Sequence, residues 1–180
     1  MKKSKKLLTA TVSCLGGILL FSTSVFAHTM PSSETTLIRD FTPTVRAEIK
    51  LGDKFSKVHD ILGNSFKTKV EDLDFFRRID WHFYQDNFYT VTSINNTKSH
   101  EELPIYGYDI TSLEFHTPSG FVPSMKFKEV KKKYGAANII EKAPNGNTLH
   151  IYTFKDIPRS MTFEVDKKGK VVRISTRSEV

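Results

Sequence analysis

Cysteine is almost missing from this chain. There is one, Cys14, in 180 residues, and it lies inside an apolar stretch near the amino terminus. Beyond residue 27 there is none, so that part can form neither a disulfide nor a thiol nucleophile. Other signatures are missing too. There is no Gly-x-Ser-x-Gly elbow, no glycine-rich phosphate loop, and no H-E-x-x-H or H-x-H pair. The usual marks of a serine hydrolase, a nucleotide-binding protein and a zinc peptidase are therefore absent. A strong excess of one charge is also lacking. The formal charge is +7, but Lys2, Lys3, Lys5 and Lys6 stand before residue 28 with no acid beside them. Without them 23 basic residues face 20 acidic ones, about +3. That balance is too mild to imply nucleic acid, and no aromatic–basic interleave of the single-strand-binding kind occurs.

The first 27 residues have the three parts of a bacterial secretory signal peptide. Four lysines are followed by the apolar run from Leu7 to Phe21, and Val25-Phe26-Ala27 places small residues at −3 and −1. Cleavage after Ala27 is expected. The run falls short of the ~20 apolar residues of a membrane span, so the mature chain is expected to carry no transmembrane segment. Residues 28–45 read as an aperiodic lead-in, rich in Pro, Ser and Thr.

After the lead-in, one pattern occurs twice. Lys54-Phe55, Val58, Leu62 and Gly63 lie over Lys126-Phe127, Val130, Tyr134 and Gly135 without a gap. Apolar residues at i, i+3 and i+7 make one stripe of a helix, and the glycine ends it cheaply. Trp81-His82-Phe83-Tyr84 then matches Leu149-His150-Ile151-Tyr152 in kind. Residues 89–93 match 161–165, and residues 113–117 match 172–176. The expected organisation is a first repeat over 46–118, with an insertion at 95–107, and a second over 119–180. The expected fold class is α+β: two tandem helix-plus-three-strand repeats, an antiparallel sheet with helices on one face.

The run Ile-x-Leu-Gly, five residues, Val-x-x-x-Leu-Gly over 49–63, with strands closing on Lys-Val-Val-Arg-Ile at 170–174, resembles the envelope domains of the BamE/SmpA type. In duplicate it is similar to the tandem fold of the β-lactamase inhibitory protein. Ser124 stands where that motif has the glycine seen at Gly52. The resemblance implies an exported binding protein and no cofactor.

Alternation assigns Trp81, Phe83, Leu149 and Ile151 to the core. It leaves His82, Tyr84, Glu114 and His116 on an open face, with His150, Tyr152, Glu164 and Arg173 in the second copy. His, Tyr and Arg there suggest a contact surface for a partner protein of unknown identity, since such side chains join large area to a polar end. The histidines lack ligand spacing, so no metal and no cofactor are expected. Ile105 and Tyr106 would form a second contact at the tip of the insertion. Lys126, Lys128 and Lys131–Lys133 make a basic helix face suited to an anionic envelope polymer or lipid. The expected function is a non-catalytic exported protein-binding module: an inhibitor, adaptor or assembly factor. The alternative is an envelope-associated structural protein held by the Lys-rich helix, with an enzyme behind both.

Overall fold

The computed structural model describes residues 29–74, 77–84, 88–94 and 99–178. The expected signal peptide lies outside them. Among the described residues no helix is long and apolar enough to cross a membrane.

Along the chain, β1 (Leu37–Asp40) and β2 (Arg46–Ile49) precede α1 (Phe55–Leu62). Four strands follow: β3 (Phe66–Asp74), β4 (Arg77–Tyr84), β5 (Phe88–Ile94) and β6 (Gly107–Ile110). Then come α2 (Lys128–Tyr134), β7 (Ile139–Lys142), β8 (Thr148–Thr153), β9 (Arg159–Val165) and β10 (Val171–Ser178). β1 and β2 form a separate antiparallel ribbon, and the other eight strands form one sheet in the order β3-β4-β5-β6-β10-β9-β8-β7. All of its neighbours whose register is resolved run antiparallel.

This corrects the expected fold class. The described chain is mostly β, with ten strands against two short helices, and it is not a pair of helix-plus-three-strand repeats. Residues 113–117 form no strand, and the strand that joins the two halves is β6. The lead-in is not aperiodic throughout, because it contains β1. Within the eight-stranded sheet, three strands go unmarked by the sequence pattern for physical reasons. β3 and β7 are the sheet's two edges. Both are largely exposed where described and carry charge, so they show little apolar alternation. β6 is central but only four residues long, Gly107–Ile110, too short a run for its alternation to stand out.

Each helix packs its stripe into one shared core. Phe55, Val58 and Leu62 join Phe127, Val130 and Tyr134, and both sets meet Tyr108, Ile110, Phe163 and Ile174 in a single cluster. Gly63 and Gly135 both take φ +76° and return their N–H groups to His59 O and Lys131 O. This left-handed position ends each helix.

The entry to each helix is built alike. Gly52 N–H donates to Ile105 O, and Ser124 N–H donates to Val171 O. Phe55 N–H donates to Leu103 O, and Phe127 N–H to Gly169 O. So Leu103–Ile105 stands where the tight turn into β10 stands in the second half. The seam matches this. Asp109 faces Ser175, with Tyr108 opposite Thr176 and Ile110 opposite Ile174.

Candidate functional site

Opposed residues of an antiparallel pair share a face, so the register settles which side chains lie where. His82 pairs with Thr68 and Thr90, and His150 with Phe163. Phe163 pairs in turn with Ile174. His150 and Tyr152 are thus on the side of Phe163 and Met161, under the helices.

The premise of an open His-x-Tyr face is corrected by this geometry. His82 is only 2% exposed and lies under Phe55, ring centroids 3.9 Å apart. Its Nδ1 is 2.9 Å from Thr68 Oγ1. His150 lies under Phe127 in the same way, at 4.0 Å. Tyr152 is buried, and its hydroxyl donates to Gly135 O at 3.0 Å. Burial pushes its hydroxyl up to about 12. Tyr84 packs half-buried against the core. The helix-borne phenylalanines take the imidazoles as flat stacking partners, and the aliphatics expected in the core turn outward.

Glu114 and His116 are outside the sheet's named strands altogether. Glu114 pairs with Arg39 at 3.2 Å. His116 Nε2 is 3.0 Å from Asp40 Oδ2, and its backbone bridges Ile38. Both therefore hold the β1–β2 ribbon in place. The expected loop tip is corrected as well. Ile105 is 1% exposed, in the position that Val171 fills in the second half. Tyr106 is half-buried against the Arg159 guanidinium, 5.5 Å from its ring.

Glu164 and Arg173 do lie on the uncovered face, and there they meet. Leu149, Glu164 and Arg173 form one row across β8, β9 and β10. Ile151, Thr162, Ser175 and Asp109 form the next. Arg173 Nη2 is 2.5 Å from Glu164 Oε2, and Arg173 Nε is 3.9 Å from Asp109 Oδ1. The other Glu164 oxygen accepts from Asn145 Nδ2 and Asn147 Nδ2, both at 2.7 Å. Burial alone would raise the Glu164 carboxyl. The two amide donors and the Arg173 guanidinium outweigh it and hold the group below its ordinary value.

Around Arg173 the sheet encloses a hollow of about 250 Å³, lined by Asp109, Leu149, Ser160, Thr162, Arg173 and Ser175. That is under the ~300–1,000 Å³ of drug-sized ligand sites. It offers one fixed guanidinium, hydroxyls and a leucine, a surface suited to side chains of another molecule. Among the described residues no group of three or more His, Cys, Asp or Glu is placed to hold a metal ion.

A second polar cluster had no clear signal in the sequence. Glu34, 3% exposed, accepts from Ser119 Oγ at 2.5 Å and from the Tyr134 hydroxyl at 3.1 Å. Lys133 Nζ donates to the same Ser119 Oγ. Residues 85 and 100 apart are joined here, which local periodicity cannot show. The cluster ties the segment before β1 to α2.

No family model matches this chain, and no curated protein does. Solved structures match at low identity. One is a cysteine-rich secretory protein from Staphylococcus aureus (12% identity, 72% of this chain and 43% of that one, TM-score 0.45). Another is an extracellular protein containing an SCP domain from Bacillus anthracis (11%, 72% and 44%, 0.41). A third is a DUF4309 family protein from Bacillus subtilis (10%, 71% and 79%, 0.38). The chain spans less than half the length of the first two. Two of the three are thus described as secretory or extracellular.

Proposed function

We propose that this is an exported, non-catalytic module that binds another protein through the uncovered face of the second half of its sheet. The observation that carries the reading is the Arg173 hollow. A guanidinium 40% exposed is held by a carboxylate that is itself 6% exposed and fixed by two asparagines. Such a cation is oriented before any partner arrives, which lowers the ordering cost of binding. Arginine in a pre-shaped hollow is a common anchor of interfaces. Half-buried Leu149 and Ile151 flank it with apolar area. Export to a periplasm, wall or medium follows from the signal-peptide pattern of residues 1–27. The kinship with BamE/SmpA-type domains and the β-lactamase inhibitory protein belongs to this proposal and rests on the helix–glycine motif.

The test is capture on immobilised residues 28–180, which hold the whole core from Met30 to Ile174. Proteins retained from the extracytoplasmic fraction are identified, then titrated against Arg173→Ala and Leu149→Asp variants. One identified partner, weakened at least tenfold by either change, supports the reading. Equal affinity for all three proteins, each shown folded by circular dichroism, sinks it.

A further inference from the structure

The two halves differ most sharply in charge at their outer ends. In the first half two helix charges have close partners, while the pair on α2, Lys128 with Glu129, is longer at 3.8 Å. Lys57 pairs with Asp53 at 2.8 Å, and His59 with Glu101 at 2.9 Å. In the second half, residues 126–142 carry six lysines against two glutamates. The turn from Asp166 to Lys170 adds three lysines against one aspartate. It lies beside the start of α2, where Phe127 N–H donates to Gly169 O and Lys126 bridges Lys170.

Large apolar side chains stand bare in this basic region. On the edge strand β7, Ile139 is 45% exposed and Ile140 59%. Ile140 is opposite His150 in the register, and Lys142 is on the same face, two residues on. Lys131 of α2 is near enough for its charge to act on the same His150 ring. The His150 imidazole is held below its ordinary value by burial first, and then by the charges of Lys131 and Lys142. A bare branched aliphatic with two lysines near its cross-strand partner has the composition of a peripheral membrane contact. The aliphatic enters the headgroup–acyl boundary, and the cations meet anionic headgroups.

We propose that the β7 edge and the lysines of α2 form a docking surface for an anionic lipid bilayer. Ile140 is the inserted side chain, and Lys131 and Lys142 are the headgroup contacts. The surface is on the helix-covered side of the sheet, opposite the Arg173 hollow, and is independent of it. A bilayer fits better than a soluble anionic polymer because a polymer would leave Ile140 in water.

The test is sedimentation of residues 28–180 with vesicles of phosphatidylcholine alone or with one third phosphatidylglycerol. This fragment omits the apolar run of residues 7–21, which would bind lipid by itself. Binding to the anionic vesicles only, weakened by added salt, is expected. Changing Lys131 and Lys142 together to Ala should lower the partition coefficient roughly thirtyfold. Ile140→Ser should lower it about fivefold with the salt dependence unchanged. A Lys67→Ala/Lys155→Ala double variant, at exposed lysines away from α2, β7 and the Asp166–Lys170 turn, controls for net charge and should retain most binding. Equal binding to both vesicle types, or no binding to either, overturns the proposal. So does an Ile140→Ser variant that binds like the parent, together with equal binding of polyphosphate, which would identify a polymer site instead. Circular dichroism spectra matching the parent are required of every variant. Because β7 is an exposed edge, these surface changes leave the core intact.

Discussion

The two halves use the same parts for different ends. In each, a helix enters through a left-handed residue, stacks a phenylalanine on a strand histidine and stops at a glycine at φ +76°. Yet Gly52 starts the first helix at φ +91°, and Ser124 starts the second at φ +71°. The segment ending at Ile105 replaces the tight turn before Val171, but both deliver the same backbone acceptors. Paired charges on α1 give way to a lysine-rich α2. What is shared is backbone geometry and the helix–sheet stack. The difference in charge lies on the surface, where substitution costs the core little.

Loss of either stacked phenylalanine is the most damaging change to the geometry the halves share. Phe55→Ala and Phe127→Ala should each cost about 3–5 kcal/mol, measured by denaturant unfolding. Because one cluster joins both halves, each variant should still unfold in a single transition. Two separated transitions would show that the halves fold independently.

Next in size is the Glu164 anchor, which has no described counterpart in the first half. Glu164→Gln should cost about 1–3 kcal/mol at neutral pH. The folded carboxyl titrates below its unfolded value. Its stabilisation is therefore fully present above the unfolded value near 4.5 and is lost as pH falls through the lower folded one. The acid limb of the stability profile should be shallower in the variant. An unchanged limb would show that the anchor does not couple to folding.

The helix entries test whether the two halves are equivalent at the backbone. A Cβ at Gly52 would meet nothing within 4 Å, so the backbone alone decides. Gly52→Ser should destabilise by about 1 kcal/mol. Ser124→Gly relieves that conformation but frees the unfolded chain, so it should stabilise by less, up to ~1 kcal/mol. Melting temperatures moving in opposite directions would confirm the equivalence. Both falling would refute it.

The smallest effect is on His150. Its imidazole should titrate by NMR below the ordinary 6.5. Lys131→Ala and Lys142→Ala should each move it upward. A histidine depressed in the fold is protonated more readily when unfolded. Stability is thus lost as pH falls from 6.5 toward the folded value and levels off below it. No upward movement in either variant would separate those lysines from the histidine and weaken the docking surface.

Much of this was legible in the residues themselves. The spacing of Phe55, Val58 and Leu62, the glycine stops and the strand tetrapeptides are local, and local sterics and periodicity set them. So were Glu164 and Arg173 as a pair of polar side chains on one face. The edges β3 and β7 were not legible, because a strand wetted on one side and unpaired on another needs no apolar pattern. Nor was β6, because its four residues are too short a run for alternation to be read. Above all, a period of two says that neighbours face opposite ways, but not which way is in. Hydrophobicity alone places Leu149 and Ile151 inward. The sheet instead turns His150 and Tyr152 inward, because Phe127 offers a flat ring at 4.0 Å and Gly135 a free carbonyl at 3.0 Å. Those partners come from another element, and only the assembled layers bring them within reach.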